Sequence, residues 1–224
     1  MRLQAATALN NASGDAARTA LLAALKHPKS AVRARAITSL ASSKDANLAS
    51  IYQQAFSDQS YVVIRAAALA LGQTKSAIAY ETLVKQLDMP SWRDTIRASA
   101  LSGLGALGDL RALEIGLNYA AKGNSPQVRA AAIRLLGTVG KDEPRVFPLV
   151  AAEIERAVGK GDFALMVSAA DALVNLGDPR GVALFDRLTK DPGAQPQFAS
   201  FLGQFQERLR RNGTAPDKSD NKQP

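Results

Sequence analysis

The chain has 224 residues, is 46% apolar but only 5% aromatic, lacks cysteine, has one histidine, and carries a formal charge of +8. The missing cysteines exclude disulfides, thiolate nucleophiles and cysteine-based metal sites, and a lone histidine leaves no cluster for zinc. No apolar run is long enough to span a bilayer, and Met1 to Ala6 lacks a signal-peptide core, which leaves the compartment open between cytoplasm and periplasm.

The charge is uneven. Residues 1–112 hold 13 basic and 7 acidic side chains, residues 113–207 hold 10 and 11, and residues 208–224 hold 5 and 2. A basic first half favours an acidic partner, although charge of this kind also serves solubility alone. The near-neutral stretch from 113 to 207 argues against a continuous track for nucleic acid.

In chain order, Arg2 to Leu9 reads as a helix with Leu3, Ala6 and Leu9 on one face and no partner helix before it. Such an uncapped edge is expected of a fragment of a longer chain. Next comes a helix with Ala17, Leu21, Leu22 and Leu25 on one stripe, closed by the breaker Lys26-His27-Pro28. His27, in that turn, reads as a solvated turn residue.

A motif then starts that recurs along the chain: a β-branched residue, usually Arg, alanines, then Leu and Gly or Ala. The copies begin at Val32-Arg33-Ala34, Val63-Ile64-Arg65-Ala66, Ile96-Arg97-Ala98 and Val128-Arg129-Ala130, at spacings of 31, 33 and 32 residues. A degraded fifth copy runs from Ser168 to Leu176-Gly177, delayed by a longer helix from about Arg145 to Val158. Between copies lie second helices, with stripes Ile78, Leu83, Val84, Leu87 and Ala112, Ile115, Tyr119. Ser30, Ser60, Ser91 and Ser125 stand where N-caps are needed, and Ser91 to Asp94 has capping-box spacing.

Helix pairs at this period stack as a solenoid, because each pair is too thin to bury its apolar faces alone. Alanines such as Ala66, Ala67, Ala98, Ala100, Ala131 and Ala132 then belong where neighbouring helices touch. No segment shows strand alternation. The expected fold is all-α, a right-handed α-α superhelix of about five to six helix pairs over residues 1–212. It closes on a helix with Phe198, Phe201, Leu202, Phe205 and Leu209 on one face, ending at Asn212-Gly213, with a disordered tail over 213–224.

The Val-Arg-Ala-Ala-Ala-Ile-Arg-Leu-Leu-Gly stretch at 128–137 and the turns Leu107-Gly108-Asp109-Leu110-Arg111-Ala112 and Leu176-Gly177-Asp178-Pro179-Arg180-Gly181 resemble HEAT repeats, including the short bacterial HEAT-like repeats of phycobilisome lyases. The stretches at 57–61, 87–94 and 145–149 resemble the C-terminal helical region of bacterial aminopeptidase N-like zinc metallopeptidases. That resemblance implies an accessory role beside an upstream catalytic domain. The zinc-binding His-Glu-x-x-His motif of that family has no counterpart here, so none of its catalytic residues carries over.

No catalytic, cofactor-binding or metal site is expected, and no cofactor. Asp142-Glu143 and Glu153/Glu155 read as solvated carboxylates. The candidate partner-binding residues are Arg33, Arg65, Arg97 and Arg129, at or beside one repeat position, and the aromatics Tyr61 and Trp92. The arginines have two readings, a basic strip or internal ties between repeats. The expected role is a non-catalytic interaction domain for a protein or peptide partner. That partner is an upstream catalytic domain of the same polypeptide or, alternatively, an acidic protein held by a free-standing scaffold.

Overall fold

The computed structural model describes residues 14–121, 123–191 and 196–214. The expected helix over Arg2 to Leu9 and the tail from 215 onward lie outside them. Twelve α-helices and no strand are found among the described residues. They are α1 (Asp15–Ala24), α2 (Ser30–Ala41), α3 (Ala49–Gln54), α4 (Tyr61–Gln73), α5 (Ala79–Gln86) and α6 (Thr95–Leu107). Then follow α7 (Leu113–Ala120), α8 (Pro126–Val139), α9 (Val146–Lys160), α10 (Phe163–Leu176), α11 (Arg180–Thr189) and α12 (Pro196–Thr214). The fold class is the expected all-α right-handed solenoid of paired helices. The chain forms two compact units, residues 1–135 and 136–224, with the boundary inside α8.

In the first unit α2 packs on α4 and α4 on α6, while α1, α3 and α5 cover them from one side. The core is made by the motif itself: Ile37, Leu71, Leu83, Leu101 and Leu104 are almost wholly inaccessible. Alanines at 67, 68, 70 and 100 are equally buried, whereas Ala66 and Ala98 stay half-exposed, on the side of their helices away from the core.

The small residues permit very close backbone approach. A Cβ added to Gly72 of α4 would lie 2.1 Å from the carbonyl oxygen of Gly103 in α6. One added to Gly103 would lie 2.6 Å from the Ala68 carbonyl oxygen and 2.6 Å from Leu83 Cδ2. The equivalent rung further along sets Gly105 against Leu135, 3.4 Å from its Cα, which is ordinary contact.

In the second unit α10 packs on α9 and α12, and α11 on α12. Here a Cβ on Gly137 would fall 2.6 Å from the Ala172 Cα, so the same device recurs. The stripe of α12 is buried at Phe198, Leu202, Phe205 and Leu209. Phe201 stays partly exposed and meets Phe163 edge-on at 4.8 Å. The helix continues through Gly213 to Thr214 rather than stopping at Asn212. At 15 residues α9 is nearly twice the length of α5 or α7, 8 residues each, which explains the late fifth copy.

That copy is nevertheless three residues out of the expected register. Gly177 has φ +68 and caps α10 in the left-handed conformation, as Gly108 (φ +66) caps α6. It is therefore the counterpart of Gly108, and the helix-embedded position belongs to Val174. At the corresponding ends of α2 and α4, Lys44 and Lys75 adopt the same left-handed turn, φ 50 and 53, without being glycine.

The serine caps are also largely replaced. Ser30 is already inside α2, and Ser60 makes no side-chain cap. The Ser91 hydroxyl accepts from the Ile96 amide at 3.0 Å, but Asp94 turns to Arg97 and no capping box closes. Carboxylates cap other starts: Asp45 accepts from the Asn47 amide before α3, Asp109 from Arg111 before α7, Asp162 from Leu165 at α10 and Asp178 from Arg180 at α11. A carboxylate there also answers the positive helix N-terminus, and at Asp45, Asp109 and Asp178 it meets an arginine as well.

Gly72→Ala and Gly103→Ala should each destabilise the chain by about 2 kcal/mol, since the overlap outweighs the roughly 1 kcal/mol helix-propensity gain. Gly203→Ala in α12, where nothing lies within 4 Å of an added Cβ, should gain up to about 1 kcal/mol. Urea denaturation of the three variants checks both signs.

Candidate functional site

The arginine row divides in two. Arg33 makes a bidentate pair with Asp58, Nε and Nη2 each 2.7 Å from a carboxylate oxygen. Its Nη1 donates to the carbonyls of His27 at 2.8 Å and Pro28 at 3.0 Å. One guanidinium thus binds the turn before α2 to the segment entering α4, where Asp58 also accepts from the Ser60 amide. The arginine's hydrogen bonds hold the Asp58 carboxyl below its usual range. Arg97 donates through Nε to the Leu87 carbonyl at 2.8 Å and pairs with Asp94 at 2.6 Å. Arg129 is only 8% exposed. Arg97 thus answers a carbonyl left open at the end of the preceding helix, and Arg33 those of the turn that follows one.

Arg65 behaves differently. Ile64 takes the buried motif position, and Arg65 is exposed beside a groove along α2 and α4. The groove, about 480 Å³, is lined by Ala31, Ala34, Arg35 and Thr38 of α2 and by Val62, Arg65, Ala66 and Leu69 of α4, with Ser102 of α6. Val62 is 49% exposed and Leu69 43%, so α4 presents a second apolar stripe on the side opposite its core face. No carboxylate lines the groove. The Thr38 hydroxyl donates to the Ala34 carbonyl and that of Ser102 to the Ala98 carbonyl, so neither is left wanting a partner.

Tyr61 and Trp92 stand together beyond Val62. The Tyr61 hydroxyl accepts from the Trp92 amide at 3.2 Å, which leaves the indole 67% exposed with the Arg93 guanidinium 5.1 Å above it. Trp92 sits in a 3-10 turn before α6 rather than in the helix itself. Arg93 and Asp94 both take positive φ there, 52 and 55, a conformation costly for residues with side chains. Of the six expected residues, Arg65, Tyr61 and Trp92 therefore share one surface, while Arg33, Arg97 and Arg129 sit in the joints of the fold.

Arg35, Val62 and Leu69 are absent from the expected set. Their signal is present in the repeat: where the neighbouring copies have Ala31 and Thr95, the second has Val62, and where they have Thr38 and Ser102, it has Leu69.

A second hollow of about 450 Å³ lies among Leu22, Leu25, Ile37, Ile51 and Val63. Its polar wall is Lys26, Gln54, Ser57 and the Arg33–Asp58 pair, the last two already satisfying one another. The acidic pairs form no reactive site. Glu143 accepts from Arg145 at 2.7 Å and Glu155 pairs with Arg187. Glu153, expected to be solvated, is 7% exposed and holds Arg156 at 2.6 Å, because α9 turns it inward beside the arginine one turn on. In the turn after α1, His27 accepts from the Lys29 amide through Nδ1 and is half-buried rather than fully solvated. Among the described residues no group of three or more His, Cys, Asp or Glu side chains could hold a metal ion, and no helix is long and apolar enough to cross a membrane.

Asp58→Asn should cost about 1–3 kcal/mol at pH 7, having removed a charge-assisted bidentate pair. Because the Asp58 pKa is lowered by folding, the wild type loses this advantage as pH falls through its folded value. The gap between the two melting curves should close in acid below about pH 4.

No family model and no curated protein matches the sequence, which leaves the peptidase resemblance without support from either. Among solved structures the chain is similar to the complex of CpcE and CpcF of phycocyanin lyase from Nostoc sp. PCC7120, at 20% identity and TM-score 0.54. The match covers 86% of this chain and 76% of that one, and at this identity what the two share is the helical-solenoid fold.

Proposed function

We propose that this chain is a non-catalytic helical-repeat scaffold that binds an acidic protein partner through the exposed face of α4. The observation that carries the reading is the stripe Val62, Arg65 and Leu69, apolar and basic side chains kept out of a core that has no further use for them. Exposed aromatics and arginine are the residue types that anchor protein interfaces, and Tyr61, Trp92 and Arg93 adjoin the stripe. The similar lyase structure is itself a complex between two chains, CpcE and CpcF, which favours a protein partner over a small substrate.

Nucleic acid is the weaker alternative. It needs a row of available cations to follow phosphates. Arg33 and Arg97 are instead consumed by carboxylates and backbone carbonyls of the chain itself. An upstream peptidase domain as the partner is weaker too, since it rests on the resemblance of residues 57–149 alone.

Replacing Leu69 by a photo-crosslinking phenylalanine in the producing cells should yield a discrete protein adduct that Arg65→Glu abolishes. The same replacement at Gln204, exposed on α12, should not. Mass spectrometry of the adducts reads the result. The same adducts at both positions, or none at Leu69, would remove the α4 face as a binding surface.

A further inference from the structure

The groove on α4 also restricts the conformation of what it can hold. Its lining residues are 31, 34, 35 and 38 on α2 and 62, 65, 66 and 69 on α4, the i, i+3, i+4, i+7 rows of two neighbouring helices. Two such ridges leave a valley that a third helix fills by ridge-into-groove packing. Seven residues at the helical rise make each row about 10 Å long, enough for two turns of an occupant. The floor is made of alanines, which let its axis come close.

Hydrogen bonding narrows the choice further. An extended peptide lying here would bury its own amide and carbonyl groups, and these need partners. The groove offers almost none. Beyond first-turn amides such as those of Ala31 and Val62, the backbone of α2 and α4 is bonded within each helix, and the Thr38 and Ser102 hydroxyls donate to carbonyls of their own helices. A helix brings its backbone hydrogen bonds with it and needs only side-chain complementarity. What remains on offer is Arg35 from one ridge and Arg65 from the other, donors without acceptors, suited to carboxylates. The C-terminal residues of this same chain, 208–224, are net basic and have the wrong charge for the role.

We infer that the α2–α4 groove receives an amphipathic α-helix of another protein, with apolar side chains spaced seven residues apart against Val62 and Leu69 and acidic side chains against Arg35 and Arg65. This rests on the scaffold reading and adds the partner's conformation and charge pattern to it.

A random-peptide display library selected on the full chain, with counter-selection on the Leu69→Glu variant, tests it whatever the identity of the partner. Leu69 is exposed, so that variant should keep the wild-type circular dichroism and melting temperature. The enriched sequences should carry apolar residues at i, i+3 or i+4, and i+7, with Asp or Glu on the flanks. A synthetic winner, followed by fluorescence anisotropy, should bind at least about ten-fold more weakly to Arg35→Ala/Arg65→Ala, and should lose binding when a central residue becomes proline. Winners without helical spacing, winners that are neutral or basic, equal binding to Leu69→Glu, or no enrichment would each overturn the inference. If the Leu69 crosslink to a protein persists alongside any of those results, the scaffold reading stands and only the helical occupant falls.

Discussion

Backbone-to-backbone contact between successive motif helices is the constraint on which the rest of this structure depends. At Gly72 and Gly103 the two helices approach until no side-chain atom fits between them. Helices that close cannot be held apart by leucines, so there both facing positions are glycine, whereas the looser α6–α8 junction admits Leu135 opposite Gly105. The large apolar residues are then displaced to the flanks, where Leu71, Leu83, Leu101 and Leu104 fill the layer toward the covering helices. A chain with so few aromatic residues buries a core by this route because thin layers need little volume to fill them.

Tight layers leave helix ends crowded together, and several charged residues serve there. Arg33 and Arg97 meet carbonyls at the ends of preceding helices, and Lys75 reaches the Ala106 and Leu107 carbonyls at the end of α6. Asp109 with Arg111 and Asp178 with Arg180 close the entries of α7 and α11, their guanidinium groups lying over Tyr80 at 3.9 Å and Phe147 at 4.1 Å. Part of the basic character of the first half is thus internal. Of the cations left exposed, Arg35 and Arg65 flank the stripe of α4 where apolar side chains also face outward.

The architecture was legible in the sequence because spacing and small residues encode it directly: four motif starts at 31 to 33 residues fix the helix pairing by themselves. The fifth register was not, because Gly137 and Gly177 are the same residue type in two different roles, one set against a neighbouring helix and one adopting a left-handed turn. Side-chain use at the helix starts was equally opaque. Serine is the common cap, yet Ser60 makes no cap bond, and Asp58 beside it serves the Ser60 amide and Arg33 at once. Half of the candidate surface was visible as Arg65, Tyr61 and Trp92. Val62 and Leu69 were hidden because apolar residues in an apolar motif read as core until the buried face of α4 is known.

The rungs between helices also mean that the repeats are not interchangeable modules. The residue facing the motif glycine differs at each junction: Gly103 opposite Gly72, Leu135 opposite Gly105, Ala172 opposite Gly137. Excising the third repeat would bring α8 alongside α4 and set the Leu135 side chain in the place of Gly103, against the Ala68 carbonyl and Leu83, where even a Cβ has no room. The junctions thus differ in what they admit, and the gene segment for the third repeat could not be lost without a compensating change in an adjoining helix.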